Sequence, residues 1–127
     1  MRSEKYKQNL KNYEKAVKQL SKALNEPESE YIRDASIQRF AFTYELLWKT
    51  LKVFLEDIHG VHTVSPRQVF KEAFSLDIIK EEDAFLAMIE ARNILIHTYN
   101  EDQAINVYRQ LKGFLDAFNQ VLENLRG

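Results

Sequence analysis

Apolar residues recur along most of this chain in steps of three and four, the spacing that turns one face of an α-helix toward a core. Over residues 3–24 the run is Tyr6, Leu10, Tyr13, Val17, Leu20 and Leu24. Asn25-Glu26-Pro27-Glu28-Ser29 ends it, because proline lacks the N–H of a continuing helix and disfavours helical backbone just before itself. A second helix is expected from about 29 to 59, stopping before Gly60, with Ile32, Ile37, Phe40, Tyr44, Leu47, Leu51, Phe54, Leu55 and Ile58 as apolar positions. That arc is too wide for one contact, so the helix should meet more than one neighbour.

Val61-His62-Thr63-Val64 reads as a linker, and Ser65-Pro66-Arg67-Gln68 supplies an N-cap, a proline at the first helical position and a capping-box Gln. The third helix is short, about 66–75, with Val69, Phe70, Ala73 and Phe74 expected inward. Leu76-Asp77-Ile78-Ile79-Lys80 is a compact connection whose apolar groups should cover the core. A fourth helix begins near Glu81 with an acidic first turn that suits the helix dipole, and carries Phe85, Met88, Ile89, Arg92 and Ile96 as one stripe. Asn100-Glu101-Asp102-Gln103 resembles the capped start of a fifth, whose Ile105, Tyr108, Leu111, Leu115, Phe118, Leu122 and Leu125 run to the end. Gly113 interrupts that last run at about 1 kcal/mol against Ala, a position where a neighbouring helix would be able to come close. The pattern predicts an all-α protein: a single domain over 1–127, an antiparallel four-helix bundle with one additional short helix.

Composition narrows the chemistry. The absence of cysteine excludes disulfides, thiolate catalysis and Cys-ligated metal, and fits a cytoplasmic protein. No apolar run is long enough for a membrane span, and the first residues lead straight into helical pattern with no signal-like segment. Net charge is −1, but residues 1–24 hold seven Lys/Arg against two Glu. That lysine stripe suits a solvated face, or a surface that steers RNA or meets an acidic partner. The aromatics Phe40, Phe42, Tyr44 and Trp48 suit a core or a dimer seam better than a base-stacking platform, which needs exposed rings. Glu45 interrupts them, either as the partner of a cation or as an exposed carboxylate. His59 and His62 lack a third ligand at useful spacing, so no metal site and no cofactor are expected.

The stretch that packing alone does not require is Arg92-Asn93-Ile94-Leu95-Ile96-His97-Thr98-Tyr99. An Arg fork can hold phosphate bidentately, and an imidazole titrates near neutrality and can move a proton. An amide such as Asn93 can orient either the imidazole or a substrate. The set suits RNA cleavage by the RNA's own 2′-hydroxyl, with no metal required. Arg and His near a helix end equally suit capping and dipole pairing. On an ideal helix Arg92 and His97 point about 140° apart, so a bent helix end or a second copy would be needed to aim both at one atom.

Arg92-Asn93-(three residues)-His97-Thr98-Tyr99 matches the Arg-x4-His-x-Tyr motif, and the chain resembles the HEPN superfamily on this and further stretches. These are Ile37-Gln38-Arg39-Phe40-Ala41-Phe42-Thr43-Tyr44-Glu45-Leu46-Leu47-Trp48-Lys49, Ser65-Pro66-Arg67 and Glu72-Ala73-Phe74. It is most similar to small members paired with a minimal nucleotidyltransferase, first described as nucleotidyltransferase substrate-binding proteins and since read as ribonuclease toxins of toxin–antitoxin pairs. The resemblance implies catalytic Arg92 and His97 with Asn93 beside them, and Tyr99 as acceptor of AMP from the partner. It implies a homodimer, an RNA substrate, a cognate minimal nucleotidyltransferase as antitoxin, and no membrane. A non-catalytic nucleotide- or substrate-binding subunit of a nucleotidyltransferase complex is the alternative. Two positions depart from the family: Ala41, where Glu is frequent, and Asp77, where Gly is frequent.

Overall fold

The computed structural model describes residues 3–97 and 100–126, which form five α-helices. They are α1 (Glu4–Leu24), α2 (Glu30–His59), α3 (Pro66–Ser75), α4 (Glu82–His97) and α5 (Glu101–Arg126). Their starts follow local chemistry. The hydroxyls of Ser3, Ser29 and Ser65 accept from the N–H groups of Tyr6, Ile32 and Gln68, and the Asn100 side chain accepts from Gln103 N–H at 2.9 Å. Gln68 in turn accepts from Val64 N–H at 2.8 Å, closing a variant of the capping box in front of α3.

The ends are equally legible. Gly60 closes α2 at φ 65, a left-handed backbone that glycine adopts without steric cost. Asp77 does the same work after α3 at φ 61: its N–H reaches the Phe74 carbonyl at 3.1 Å and the Ile78 N–H reaches Ala73 at 2.9 Å. That hydrogen-bond pair is a Schellman ending, whose left-handed position suits glycine and is unfavourable for Asp.

Helix α1 packs on α2 and α5, α2 also on α5, and α4 on α5, while α3 lies against both α2 and α4. The start of α1 meets the end of α2 through Ser3 N–H and Asp57, so these two run antiparallel. Helices α1 and α5 also run antiparallel, because the Tyr6 hydroxyl donates to Leu125 O near the end of α5, while Tyr13, two turns later on α1, donates to Phe118 O at 2.6 Å. The result is the four-helix bundle expected from the periodicity, with the short helix between its second and third long members.

The core is rich in rings. Phe40 stacks on Phe114 with centroids 5.3 Å apart, Tyr44 meets Phe70 edge-on at 6.0 Å, and Phe70 meets Phe85 at 5.2 Å. Burying each such side chain is worth about 1.5–3 kcal/mol, so the Tyr44–Phe70–Phe85 chain is what fixes α3 between α2 and α4. Three expectations need correction. Phe74 is 42% exposed and Ile96 56% exposed, because both lie on the outer edges of their helices' apolar arcs. Gly113 is no close-approach point, since a β-carbon there would meet nothing within 4 Å. No described helix is long and apolar enough to cross a membrane.

Candidate functional site

Arg92, Asn93 and His97 all lie on the second half of α4. Asn93 and His97 are exposed, and His97 is the last residue of the helix. Among the described residues neither side chain takes a hydrogen bond or an ion pair, so neither is committed to capping. Arg92 is different: its side chain is 28% exposed, and its Nε is buried without a hydrogen bond. Tyr99, with Thr98, lies outside the described residues.

The buried Nε faces Glu45 of α2, whose Oε1 is 3.7 Å away. That separation is an ion pair and too long for a hydrogen bond. The other carboxylate oxygen of Glu45 accepts from the Trp48 indole N–H at 3.1 Å, one turn further along α2. Trp48 packs against the core, so the bundle holds the carboxylate and the carboxylate faces the guanidinium. Because Glu45 meets the Nε edge, the edge formed by the two terminal nitrogens remains available for a planar two-oxygen acceptor such as phosphate. Ala41 sits one turn before Glu45 on α2, half-buried, beside this pair.

Next to Glu45 on the core side is Tyr44, whose ring is almost fully buried. Its hydroxyl pKa is pushed up to about 12, first by burial and then by the Glu45 charge, against opposing pulls from Arg92 and Arg67. The phenol is therefore neutral at physiological pH, and it marks a point felt by one carboxylate and two guanidiniums.

The structure brings together residues that the sequence does not relate. Glu45 was legible as a polar break that could partner a cation, without saying which, and Arg67 as part of the start of α3. No spacing rule links either to Arg92, since each lies on a different helix. Arg92 and His97 remain a single-helix pair, five residues apart and so about 7.5 Å apart along the axis. Among the described residues no three His, Asp or Glu side chains gather to hold a metal ion, and His62 instead lies 3.8 Å from Glu56.

Comparison with known proteins adds an independent line. The family described as "Nucleotidyltransferase substrate binding protein like" matches residues 8–127. A probable ribonuclease HepT from Haemophilus influenzae is 32% identical over 95 residues, covering 72% of this chain; the match spans 65% of that relative's length. The crystal structure of a Thermus thermophilus protein superposes with a TM-score of 0.84 at 36% identity, over 91% of this chain and 99% of the other. A tri-AMPylated HEPN toxin from Shewanella oneidensis, solved in complex with its MNT antitoxin, shares the fold with a TM-score of 0.78 at 15% identity, over 98% of each chain.

Proposed function

We propose, for a chain that belongs to the nucleotidyltransferase substrate-binding-protein-like family of the HEPN superfamily, that it is a metal-independent endoribonuclease, the toxin of a pair with a minimal nucleotidyltransferase antitoxin, acting in the cytoplasm. The observation that carries this reading is the Arg92 guanidinium: braced along one edge by Glu45, open along the other, and five residues before an uncommitted His97. In this reading the 2′-hydroxyl of the RNA gives its proton to a His97 imidazole and its oxygen bonds to phosphorus. Arg92 bears the charge of the phosphorane. The bond from phosphorus to the 5′-oxygen then breaks, and that oxygen takes a proton from an imidazolium. The products are a 2′,3′-cyclic phosphate and a 5′-hydroxyl, and no step requires a metal ion.

The active species in this reading is a homodimer. Phe42 on α2 and Ile96 on α4 are both more than half exposed, an unfavourable state for large apolar side chains that a symmetric mate would relieve. A second copy would also let Arg92 of one chain and His97 of the other face one phosphate. Tyr99 would be the acceptor through which the partner enzyme attaches AMP, as AMPylation of the Shewanella relative suggests. The added phosphate would then compete for the open edge of Arg92 and silence the site.

The test is cleavage of RNA by the purified protein in the presence of a chelator. R92A and H97A should abolish cleavage with helical content intact, and N93A should weaken it less, because an orienting amide is not itself a reactant. Cleavage that survives H97A, or that needs a divalent ion, would sink the mechanism. Intact mass after incubation with the partner and ATP should show adenylate on the wild type and none on Y99F.

A further inference from the structure

Arg67 is the second guanidinium that bears on Tyr44, and nothing above gives it a task. It follows Pro66 in the first turn of α3, is exposed, and among the described residues takes no ion pair or hydrogen bond. Its place is well determined. Phe70, one turn later on α3, is fully buried and packs edge-on against Tyr44 with centroids 6.0 Å apart, and Phe85 of α4 fixes Phe70 from the other side. Arg92 on α4 pairs with Glu45, the residue that follows Tyr44 on α2. Both guanidiniums lower the Tyr44 pKa against the effect of burial, so both charges lie within electrostatic reach of one hydroxyl.

The two cations differ in one respect. Arg92 is partly neutralised by Glu45, whereas among the described residues no carboxylate pairs with Arg67. An exposed, unopposed guanidinium on α3 and a braced one on α4, the helix that α3 packs against, provide for two phosphates in succession. The α1 lysines are a weaker candidate for the same task, because α1 packs on α2 and α5, whereas Arg67 and Arg92 lie on α3 and α4.

We propose that Arg67 is a binding residue for the phosphate adjoining the one that Arg92 holds, so that the surface where α2, α3 and α4 meet grips two consecutive phosphates of single-stranded RNA. This deepens the ribonuclease reading and rests on it for the identity of the ligand. Arg67 takes no part in the bond changes. It raises affinity, and it sets how the strand lies across Arg92.

The experiment uses the full-length chain with a short single-stranded RNA carrying 2′-O-methyl groups throughout, which binds without being cut, followed by fluorescence anisotropy at several salt concentrations. The same variants are run with cleavable RNA. R67A should weaken binding several-fold and lower the log–log salt slope by about 0.7, the value for one lost phosphate contact on a single strand. R67K should recover most of the affinity, since the charge remains. On cleavable RNA, R67A should raise KM with kcat within about twofold of wild type, as loss of uniform binding requires. Wild-type binding and slope in R67A would overturn the assignment while leaving the ribonuclease reading standing, if the wild type cleaves. An equal fall in kcat would overturn it too, by moving Arg67 into the reaction. Binding that depends on Arg67 in a protein that cuts no RNA would refute the ribonuclease reading and support this site.

Discussion

Glu45→Gln tests the brace behind Arg92 more sharply than removal of the arginine. Gln keeps the shape, and its amide oxygen can still accept from the Trp48 indole, so the 3.1 Å bond along α2 survives and only the charge facing Nε is lost. At 3.7 Å two unit charges attract by about 4 kcal/mol at an effective dielectric of about 20, and by about 1 kcal/mol in water. Arg92 and Glu45 are 28% and 37% exposed, so screening and side-chain entropy bring the net effect on folding to about 0.5–1 kcal/mol. That corresponds to a fall in Tm of about 2–4 °C. The effect on catalysis should be larger. A guanidinium freed along its Nε edge wanders by about an ångström, and such a misplacement costs up to about 10²-fold in rate.

We therefore expect E45Q to melt almost like wild type by circular dichroism, yet to cleave RNA about 10- to 100-fold more slowly, chiefly in kcat. E45A should be worse in both respects, because it also strands the Trp48 N–H. If E45Q cleaves at the wild-type rate, the ion pair is an ordinary surface contact and the positioning argument fails. If E45Q is as inactive as R92A, Glu45 itself takes part in the reaction, and its role here is wrong.

Four other outcomes follow from the structure. D77G should raise Tm, because Asp77 holds a left-handed backbone at φ 61 that costs a side-chain-bearing residue about 1 kcal/mol; an unchanged or lower Tm would contradict that account. G113A should stabilise α5 by about 1 kcal/mol, since the added methyl meets nothing; lost dimer mass in sedimentation would instead put Gly113 at a subunit seam. F70A should cost about 3–5 kcal/mol in urea unfolding, because Phe70 joins Tyr44 of α2 to Phe85 of α4. Alkaline titration should find Tyr44 and Tyr13 late. Their folded pKa values lie above the ordinary 10, at about 12 for Tyr44, so the unfolded chain releases these protons first. Stability is then intact below pH 10 and falls as pH rises toward 12, and Y44F should flatten that fall.

The chain by itself determined everything that depends on near neighbours. The stripe Tyr6, Tyr13, Val17, Leu20 and Leu24 is buried as its spacing requires, Ser65 and Asn100 cap the helices they precede, and Gly60 ends α2. These features were legible because hydrophobic period and capping act within one or two turns. Near the rim of an apolar arc the same reasoning failed. Phe74 and Ile96 carry the right residue type but face outward, and periodicity cannot say where a neighbouring helix stops.

The motif on α4 was equally local, and so was its ambiguity: Arg92 and His97 suit catalysis and capping alike when only α4 is considered. What tertiary structure decided is the company they keep. Glu45 and Arg92 are 47 positions apart in the chain and 3.7 Å apart in space, and Phe70 on a third helix packs edge-on against Tyr44, the neighbour of Glu45. Such contacts depend on how far each helix is rotated and slid against the next. That is set by the fit of Phe40, Tyr44, Phe70 and Phe85 in the core, a many-body packing problem that leaves no period in the sequence.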